Sequence, residues 1–404
     1  MRTIVFIGIQ KSGSSRDAVL AARKLGFYTV VFTNQKKHLA ERVEFPDVDL
    51  MVFADLKDLE WMREKIEELQ GMGNIIETVV SFVDPNVTSA AFLCKHFCDI
   101  NVSVKAISTM ENKIETRNTL RGTEFGINYG IYDERDNLNS VLKKNNLHYP
   151  VIIKSPGSTG SKAVFVAENE LELKNHMEKL RKKSIDSTIL FEEYIEGPQY
   201  LVEVLVYNNN VHVVAVIEQE ITKGERFIIT GYSLLAQVPK ELYDSLLHTV
   251  QSILDELQFT DGSCHFELRR QQDKWKIVEI NPRISGAAMN RMIQVAYGIN
   301  LVEQIIRLWL GEEPCLIHQH EQSVFTQYIT LSEKGILQKV TGKESALKYE
   351  GVTDVFIKPR KGAYLHPPLS MGHRYAYVMA AASDITDAKK IAKAAAGEIS
   401  FHLN

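Results

Sequence analysis

The sequence predicts a multidomain protein that combines the α/β and α+β classes. Its 404 residues suffice for two to four domains, because a single hydrophobic core stops growing at roughly 250–300 residues. From Met1 to Phe97, short apolar runs alternate with amphipathic helical patterns, whereas successive strand patterns dominate after Met110. The first pattern is typical of a doubly wound parallel sheet, and the second is typical of α+β lobes.

The N-terminal α/β domain is assigned to residues 1–108. Its strands are predicted at Thr3–Ile9, Tyr28–Thr33, Asp49–Phe53 and Ile75–Val83, and its helices at Ser14–Leu25, Asp58–Leu69 and Thr88–Phe97. Ligands of such sheets bind beyond the carboxyl ends of the strands, which draws attention to the loops Gln10–Ser15 and Phe82–Asn86. Gly8 and Gly13 do not have the G-x-G-x-x-G spacing of a dinucleotide fingerprint, so we predict no NAD site.

Antiparallel strands with interleaved helices are predicted for the rest of the chain. The strands are predicted at Tyr149–Lys154, Ala163–Val166, Thr188–Ile195, Tyr200–Val206, Val211–Glu218, Phe227–Gln237, Ser263–Arg269 and Trp275–Asn281, and the helices at Asn169–Lys183 and Lys240–Gln258. Gly311-Glu312-Glu313-Pro314 predicts a boundary, after which residues 313–404 form a small α+β domain that closes on the helix Thr386–Ala396.

Composition limits the partners and the location of the chain. The 47 Lys+Arg and 51 Asp+Glu residues nearly cancel, so we expect neither nucleic acid nor a membrane surface as a partner. No secretory signal pattern and no apolar run of about 18 residues occur. The four cysteines are too few for a disulfide framework. These features predict a cytoplasmic protein.

The loop Ser155–Lys162 joins two predicted strands and is rich in glycine and serine, whose backbone amides can approach an anion closely. It is not a Walker A loop, because a strand and not a helix follows it. A phosphate-binding hairpin and an ordinary hairpin fit the loop equally well. Lys154 favours the phosphate hairpin, because an ammonium group at the end of an apolar strand needs an anionic partner.

Two strand patterns flank the predicted turn Arg270–Lys274. If the hairpin is symmetric about Asp273, Glu267 lies opposite Glu279, and strand alternation places both on one face with Asn281. The other face would carry Leu268, Val278 and Ile280. Because facing carboxylates destabilise a sheet, a divalent cation would compensate, and three oxygen ligands suit Mg²⁺. A solvated acidic face is the alternative.

Arg283 follows these acidic residues at once and could stabilise charge on a transferred phosphoryl group or an acyl oxygen. Gly286 precedes a predicted helix, Ala287–Tyr297, whose N-terminal amides could bind an anion. His265 fits an active-site donor and a packed strand residue equally well. Together, the phosphate loops, the magnesium hairpin and the arginine indicate phosphoryl transfer from a nucleotide.

Four motifs in this order resemble those of the ATP-grasp superfamily, and within it the carboxylate–amine ligases. They are Thr109-Met110-Glu111-Asn112-Lys113, Val151-Ile152-Ile153-Lys154 with its glycine-rich loop, Phe191-Glu192-Glu193-Tyr194-Ile195-Glu196-Gly197-Pro198, and Glu267…Glu279-Ile280-Asn281-Pro282-Arg283. In domain order the whole chain is most similar to the bacterial L-amino-acid ligases. The resemblance implies an ATP-grasp core of two α+β lobes, lobe A (109–190) with a glycine-rich lid and lobe B (191–312) with the metal site.

The resemblance also implies roles for individual residues. The ATP-binding set would be Lys113, Lys154, Ser158, Gly160, Ser161, Glu192, Glu193, Ile195 and Gln199. Within it, the lysines would bind phosphates, Glu192–Ile195 would form the adenine hinge, and Gln199 stands where D-alanine–D-alanine ligase carries a ribose-binding glutamate. The metal ligands would be Glu267, Glu279 and Asn281, and the catalytic residue would be Arg283. The substrate residues would be Ser285, Gly286 and Asp84.

The activity that the resemblance implies is ATP-dependent ligation of two amino acids into a dipeptide through an aminoacyl phosphate, with release of ADP and phosphate. ATP and Mg²⁺ are the expected cofactors, with Mn²⁺ as an alternative, and a homodimer is the expected assembly. Asp84 would either bind a cationic substrate side chain or cap the helix Thr88–Phe97, and the cap is favoured. Two alternatives stay open: a phosphoribosyl-amine or carboxylase-type ligase, for which no basic cluster is evident, and a non-catalytic nucleotide-binding protein.

Overall fold

A computed structural model describes residues 1–157, 163–182, 188–223 and 227–404. The N-terminal domain contains a parallel sheet of four strands in the order β3-β2-β1-β4. Its elements are β1 (Arg2–Ile7), α1 (Ser14–Lys24), β2 (Tyr28–Thr33), α2 (Lys36–Ala40), β3 (Leu50–Phe53), α3 (Leu59–Gly71), β4 (Ile75–Val80) and α4 (Val87–Phe97). The central strands are almost wholly buried, as expected for a parallel sheet, and the doubly wound prediction is confirmed.

Lobe A contains a four-stranded antiparallel sheet in the order β5-β8-β6-β7, with its own apolar core. The connecting and lobe A elements are α5 (Val104–Glu111), α6 (Lys113–Thr119), β5 (Tyr129–Tyr132), α7 (Leu138–Lys144), β6 (Val151–Lys154), β7 (Val164–Ala167), α8 (Glu170–Arg181) and β8 (Ile189–Glu193). Because β8 pairs with β5 and β6 as far as Glu193, this sheet continues past the predicted domain boundary after residue 190.

Lobe B and the C-terminal domain share one antiparallel sheet of eight strands, in the order β13-β12-β9-β10-β11-β14-β18-β16. The lobe B elements are β9 (Gln199–Tyr207), β10 (Asn210–Lys223), β11 (Phe227–Leu234), α9 (Lys240–Leu257), β12 (Gly262–Gln271), β13 (Lys274–Asn281), α10 (Met289–Tyr297) and α11 (Leu301–Leu308). The sheet runs across the predicted boundary after residue 312, because β11 pairs with β14 of the C-terminal domain.

The C-terminal domain adds three strands to that sheet and forms a second, three-stranded sheet in the order β17-β15-β19. Its elements are β14 (Ser323–Ile329), β15 (Gly335–Thr341), α12 (Lys343–Leu347), β16 (Val352–Ile357), β17 (Tyr364–Leu365), β18 (Ala376–Ala382), α13 (Ile385–Ala396) and β19 (Ser400–Leu403). The mixed α/β and α+β architecture is therefore as predicted. Within the described ranges, no helix combines the length and the apolar character that crossing a bilayer requires.

The hairpin of β12 and β13 contains a bulge that determines which residues face each other. Its turn is formed by Gln272 and Asp273, both in the left-handed region, and pairing starts symmetrically around these two residues. At Val278 the register shifts by one residue, so that Glu279 lies opposite Glu267. The facing carboxylates were predicted, but the regular alternation assumed for Val278 was wrong, since this residue lines the same cavity as both glutamates.

Candidate active site

A cavity between the sheet of lobe A and the strands β12 and β13 gathers most of the predicted ATP and metal residues. Its lining includes Lys113, Lys154, Glu192, Glu193, Ile195, Gln199, Glu267 and Glu279. Ser158, Gly160 and Ser161 lie outside the described residues. The first part of the site is therefore a groove whose walls come from two lobes, and each lobe contributes both cations and carboxylates.

Lys154 ends β6 with its side chain buried, and its counter-ion is Glu192 on the neighbouring strand β8. The Lys154 Nζ to Glu192 Oε2 distance is 2.6 Å, and Arg117 Nε lies 2.8 Å from the other oxygen of the same carboxylate. Burial opposes ionisation of Glu192, but the two cations outweigh it and lower the pKa of the carboxyl. Two cations thus share one anion, which leaves net positive charge for a phosphate. Sequence reasoning predicted that Lys154 needs an anion, but it missed Arg117.

Glu267 and Glu279 face each other on β12 and β13, and Lys113 lies 3.2 Å from Oε1 of Glu279. Burial and the neighbouring carboxylate raise the pKa of Glu267 to about 7. Burial also opposes ionisation of Glu279, but Lys113 and Lys154 outweigh it and lower the pKa of this residue to about 2. Two facing, half-buried carboxylates, one of which resists ionisation beside the other, are a fitting donor pair for a divalent metal ion.

Asn281 completes this donor set, and His265 orients it. Burial lowers the pKa of His265 to about 4, so the imidazole is neutral. Its Nδ1 donates to the backbone oxygen of Arg283 at 2.8 Å, and its Nε2 accepts from Nδ2 of Asn281 at 3.3 Å. Because the amide nitrogen of Asn281 is engaged in this way, its oxygen is the atom left to coordinate a metal ion. The set of two carboxylates and one amide oxygen fits Mg²⁺.

The predicted adenine hinge follows β8 and lines the same cavity. The carboxylate of Glu193 accepts from the backbone and side-chain nitrogens of Asn128, at 2.7 and 3.1 Å. The carbonyl oxygen of Ile195 accepts from Nη1 of Arg269 at 2.6 Å, so the backbone N–H of Ile195 is the group left for a base. These contacts fix the direction of the hinge backbone.

Gln199 is buried, and its side-chain amide already has protein partners. Its nitrogen donates to Gln219 at 2.7 Å and to Glu267 at 3.1 Å, and its oxygen accepts from Arg269 at 2.9 Å. A ribose hydroxyl would therefore have to share or displace one of these bonds. The contact with Glu267 also links this position directly to the metal ligands.

Arg283 and Asp84 form a bidentate ion pair in which Nε of the arginine lies 2.7 Å from Oδ1 of the carboxylate and Nη2 contacts Oδ2. The interpretation of Asp84 as a helix cap is wrong. Helix α4 begins at Val87, and its first amides instead donate to the carboxylate of Glu111, at 3.1 Å from Val87 and 2.9 Å from Thr88. Asp84 holds the predicted catalytic arginine.

Ser285 lies in a backbone segment that is clamped from two sides. Its N–H donates to the buried carboxylate of Glu203 at 3.0 Å, and its carbonyl oxygen accepts from the hydroxyl of Ser14 at 2.7 Å. Gly286 is exposed, with open space beside its Cα. The expected helix start at Ala287 was wrong: that residue is left-handed, and the helix begins at Met289.

A second, larger cavity of about 570 Å³ lies between the N-terminal and C-terminal domains. It adjoins the first cavity, because Met371 lines both. Its walls come from α1 and the loop before it, the segment that starts at Ala287, and the C-terminal domain. The charged side chains on its walls are Lys11, Arg16, Asp17, Lys24, Arg291, Asp354, Lys358 and Arg374. A volume of this size is typical of small-molecule sites.

Comparison with family models assigns two regions of the chain. Residues 147–291 match the ATP-grasp domain, and residues 327–404 match the L-amino acid ligase C-terminal domain 2. Residues 147–291 therefore contain an ATP-grasp domain. These matches support an ATP-dependent carbon–nitrogen ligase, in agreement with the resemblance found in the motifs.

Two sequence relatives match the chain at low identity. It is 21% identical over 321 residues to an L-arginine-specific L-amino acid ligase of Bacillus subtilis, which covers 77% of this chain and 76% of that one. It is 23% identical over 259 residues to an uncharacterised protein, y4rH, of Sinorhizobium fredii, a match that covers 63% of this chain. That match spans 53% of the length of the relative.

Solved structures share the ATP-grasp fold at low identity. An L-amino acid ligase from Bacillus licheniformis superposes with a TM-score of 0.85 at 19% identity and covers 100% of this chain and 99% of its own. A phosphoribosylglycinamide synthetase from Anaerococcus prevotii superposes with a TM-score of 0.75 at 15% identity, and the match covers 100% of both chains. The biotin carboxylase domain dimer of the Hydrogenobacter thermophilus 2-oxoglutarate carboxylase was solved with MgADP. It superposes with a TM-score of 0.72 at 18% identity, and the match covers 100% of this chain and 91% of that one.

Proposed function

We propose that the chain is an L-amino-acid ligase that forms a dipeptide through an aminoacyl phosphate and releases ADP and phosphate. The observation that carries this proposal is the contact of two cavities at Met371. One cavity joins phosphate-type cations to a magnesium-type donor set, and the other has room for amino acids. A carboxylate bound where they meet would lie beside the γ-phosphoryl group of ATP.

The nucleotide side of the reaction requires neutralisation of the triphosphate. Lys113 and Lys154 have the charge for this task, since both line the cavity that also contains Glu267 and Glu279. Glu267, Glu279 and Asn281 would hold Mg²⁺, and their hard oxygen atoms also suit Mn²⁺. When bound, the ion would draw charge from the phosphate oxygens.

The chemistry proceeds in two displacements. The carboxylate oxygen of the donor amino acid attacks the γ-phosphorus, the bond to the bridging oxygen breaks, and ADP leaves. The amine of the acceptor, having lost a proton, then attacks the acyl carbon, and phosphate leaves. Arg283 would stabilise the negative charge on the acyl oxygen, and the loop with Ser158, Gly160 and Ser161 would exclude water from the acyl phosphate.

The substrate residues of this proposal divide into two kinds. Ser285 and Gly286 would present backbone groups to the substrate, because the first is held by Glu203 and Ser14 and the second is exposed. Asp84 would act by positioning Arg283, since its carboxylate is engaged in the ion pair and a cationic substrate side chain would have to compete for it.

We also propose a homodimer, as in the biotin carboxylase domain named above. Light scattering on a size-exclusion column tests it. A mass near twice 45.8 kDa is expected, whereas a mass near 45.8 kDa at micromolar concentration would contradict it.

A phosphoribosyl-amine ligase is the second candidate, and one observation favours it. Lys24, Arg291, Lys358 and Arg374 line the larger cavity, and none of them forms an ion pair within the described ranges. The absence of a basic cluster, expected from the sequence, was therefore wrong, because the cluster is assembled from three distant segments. A sugar phosphate would fit such a wall.

The experiment that tests the proposal is phosphate release from Mg·ATP with the common amino acids, singly and in pairs, together with mass analysis of the products. Release that depends on one amino acid, and a dipeptide mass with a second, is the expected result. Release only with phosphoribosylamine and glycine would favour the second candidate. No release with any substrate would contradict both and support a non-catalytic nucleotide-binding protein.

A further inference from the structure

Two cations on the wall of the larger cavity donate to main-chain oxygens, and one of them, Arg374, also bonds to the side chain of Tyr232. Lys358 Nζ donates to the carbonyl oxygen of Gly372 at 2.8 Å, and Arg374 Nε donates to that of Met371 at 3.3 Å. Both side chains thus lie against the same short turn. Among the described residues, no carboxylate lies within ion-pair distance of either group. Arg374 is half-buried and Lys358 is exposed. Cations that lack a carboxylate partner are candidates for binding an anion.

Two other cations of the same cavity do have carboxylate partners. Arg16 contacts both oxygens of Asp47, and Lys11 contacts Glu41 and Glu44. Their charges are neutralised within the N-terminal domain. Lys24 and Arg291 also line this cavity and form no ion pair in the described part of the chain, so positive charge remains on several of its walls. On the side of the C-terminal domain, that charge is carried by Lys358 and Arg374.

A hydroxyl group whose hydrogen has no acceptor among the described residues lies beside Arg374. The guanidinium carbon of Arg374 is 3.9 Å from the ring centroid of Tyr328, so the two side chains are stacked. Tyr328 is 5% exposed and lines the same cavity. The backbone N–H of Ala288 approaches its hydroxyl oxygen, but no acceptor for the hydroxyl hydrogen lies in the part of the chain described. A planar cation and an unused hydroxyl donor side by side are suited to the two oxygens of a carboxylate.

The chemistry of ligation indicates which carboxylate this is. The donor amino acid loses its carboxylate charge when the acyl phosphate forms, whereas the acceptor keeps its own carboxylate until the product leaves. A permanent cationic site is therefore useful only to the acceptor. We infer that Arg374, with Lys358 and the Tyr328 hydroxyl, binds the α-carboxylate of the acceptor amino acid and selects against acceptors that lack it. This inference rests on the proposed function.

The test compares an acceptor amino acid with its uncharged amide in the wild type and in Arg374→Gln. In the variant, KM for the amino acid should rise roughly ten- to a hundred-fold, the loss expected for a charge-assisted hydrogen bond. KM for the amide, KM for ATP and the donor should stay unchanged. Arg360→Gln, which removes a charge from a side chain 76% exposed and outside this wall, is the matched control and should leave all four values unchanged.

Two milder variants cover the case in which Arg374→Gln does not fold, as judged by thermal melting. Tyr328→Phe and Lys358→Gln should each raise KM for the amino acid several-fold and leave the amide unaffected. Equal increases for acid and amide, an increase in KM for ATP, or no change in any variant would overturn the inference. A wild type that forms no dipeptide would overturn the proposed function as well, whereas a wild type that ligates while its variants behave normally would overturn the inference alone.

Discussion

Asp84 and Arg283 are 199 residues apart in sequence, and their bidentate ion pair joins the N-terminal sheet to the segment that follows β13. Both side chains are mostly buried, at 12% and 16% exposure. The guanidinium can therefore not rotate freely, and the loop after β4 sets its direction. An arginine held in this way is ready to meet negative charge without the cost of reorganisation.

Asp84→Asn should slow the reaction without preventing ATP binding. Asparagine keeps the shape of the side chain, but it removes the charge that holds Arg283. We expect kcat to fall roughly ten- to a hundred-fold and KM for ATP to change little. Steady-state phosphate release measures both values. Asp133→Asn, which breaks an exposed ion pair in lobe A, is the control, and an unchanged kcat in Asp84→Asn would contradict the positioning role.

Glu279→Gln should abolish product formation and leave a folded protein. The change removes one charged ligand from the metal-type donor set and takes away the ion-pair partner of Lys113. We expect the thermal stabilisation by ATP to lose its dependence on Mg²⁺, as measured by melting curves across a magnesium titration. Glu218→Gln, on the exposed face of β10, should behave as wild type. Normal turnover in Glu279→Gln would contradict the metal assignment.

The facing carboxylates illustrate how far local patterns reach. Alternation and an assumed centre at Asp273 predicted the pair Glu267 and Glu279, but the turn is centred between Gln272 and Asp273. Without the bulge at Val278, Glu267 would lie opposite Val278. A bulge is a response to tertiary contacts, here including the bond of 2.5 Å from Arg117 to the carbonyl oxygen of Val278, and such contacts leave no periodic signal in the sequence.

Contacts between distant segments explain the other differences. The strand pattern around Lys154 correctly indicated a buried cation in need of an anion, but no spacing rule connects it to Arg117 through Glu192. In the same way, Asp84 was interpreted as a helix cap because it lies just before α4 in the sequence. The carboxylate that caps α4 belongs to Glu111, which follows Val87 by 24 residues and Thr88 by 23. The local sequence pattern indicated which groups need a partner. The identity of that partner depends on contacts between distant segments, which only the folded structure shows.

Glu203 should make folding stability depend on pH. Burial raises its pKa to about 7, above its ordinary value of 4.5. Because the folded state binds the proton more tightly, this contribution to stability is complete below pH 4.5 and is lost as the pH rises through 7. For wild type we expect a loss of about 2 kcal/mol from this group between pH 5 and pH 8.

Glu203→Gln should remove this dependence, because glutamine does not ionise and its oxygen can still accept from the N–H of Ser285. Urea unfolding at several pH values measures the difference between the two proteins. The free energy of unfolding of the variant should increase relative to that of the wild type as the pH increases. Parallel pH profiles would contradict the assignment of the raised pKa to Glu203.

Gly13 should be required for the contact between the N-terminal loop and the clamped segment. Its φ is +83°, and a Cβ there would lie 3.1 and 3.2 Å from the backbone oxygen and nitrogen of Ala287. Gly26 has a similar φ of +87° but no heavy atom within 4 Å of its Cβ position. Both alanine variants therefore incur positive-φ backbone strain of about 1 kcal/mol or more, and the strain is greater at Gly13, whose ψ of −167° lies in a region that only glycine adopts readily. Only Gly13→Ala also displaces Ala287. We expect a lower melting temperature for Gly13→Ala than for Gly26→Ala, and a kcat/KM several-fold lower in Gly13→Ala alone. Equal activity would mean that the segment after Arg283 tolerates the shift, and that the loop before α1 supports the fold without helping to shape the active site.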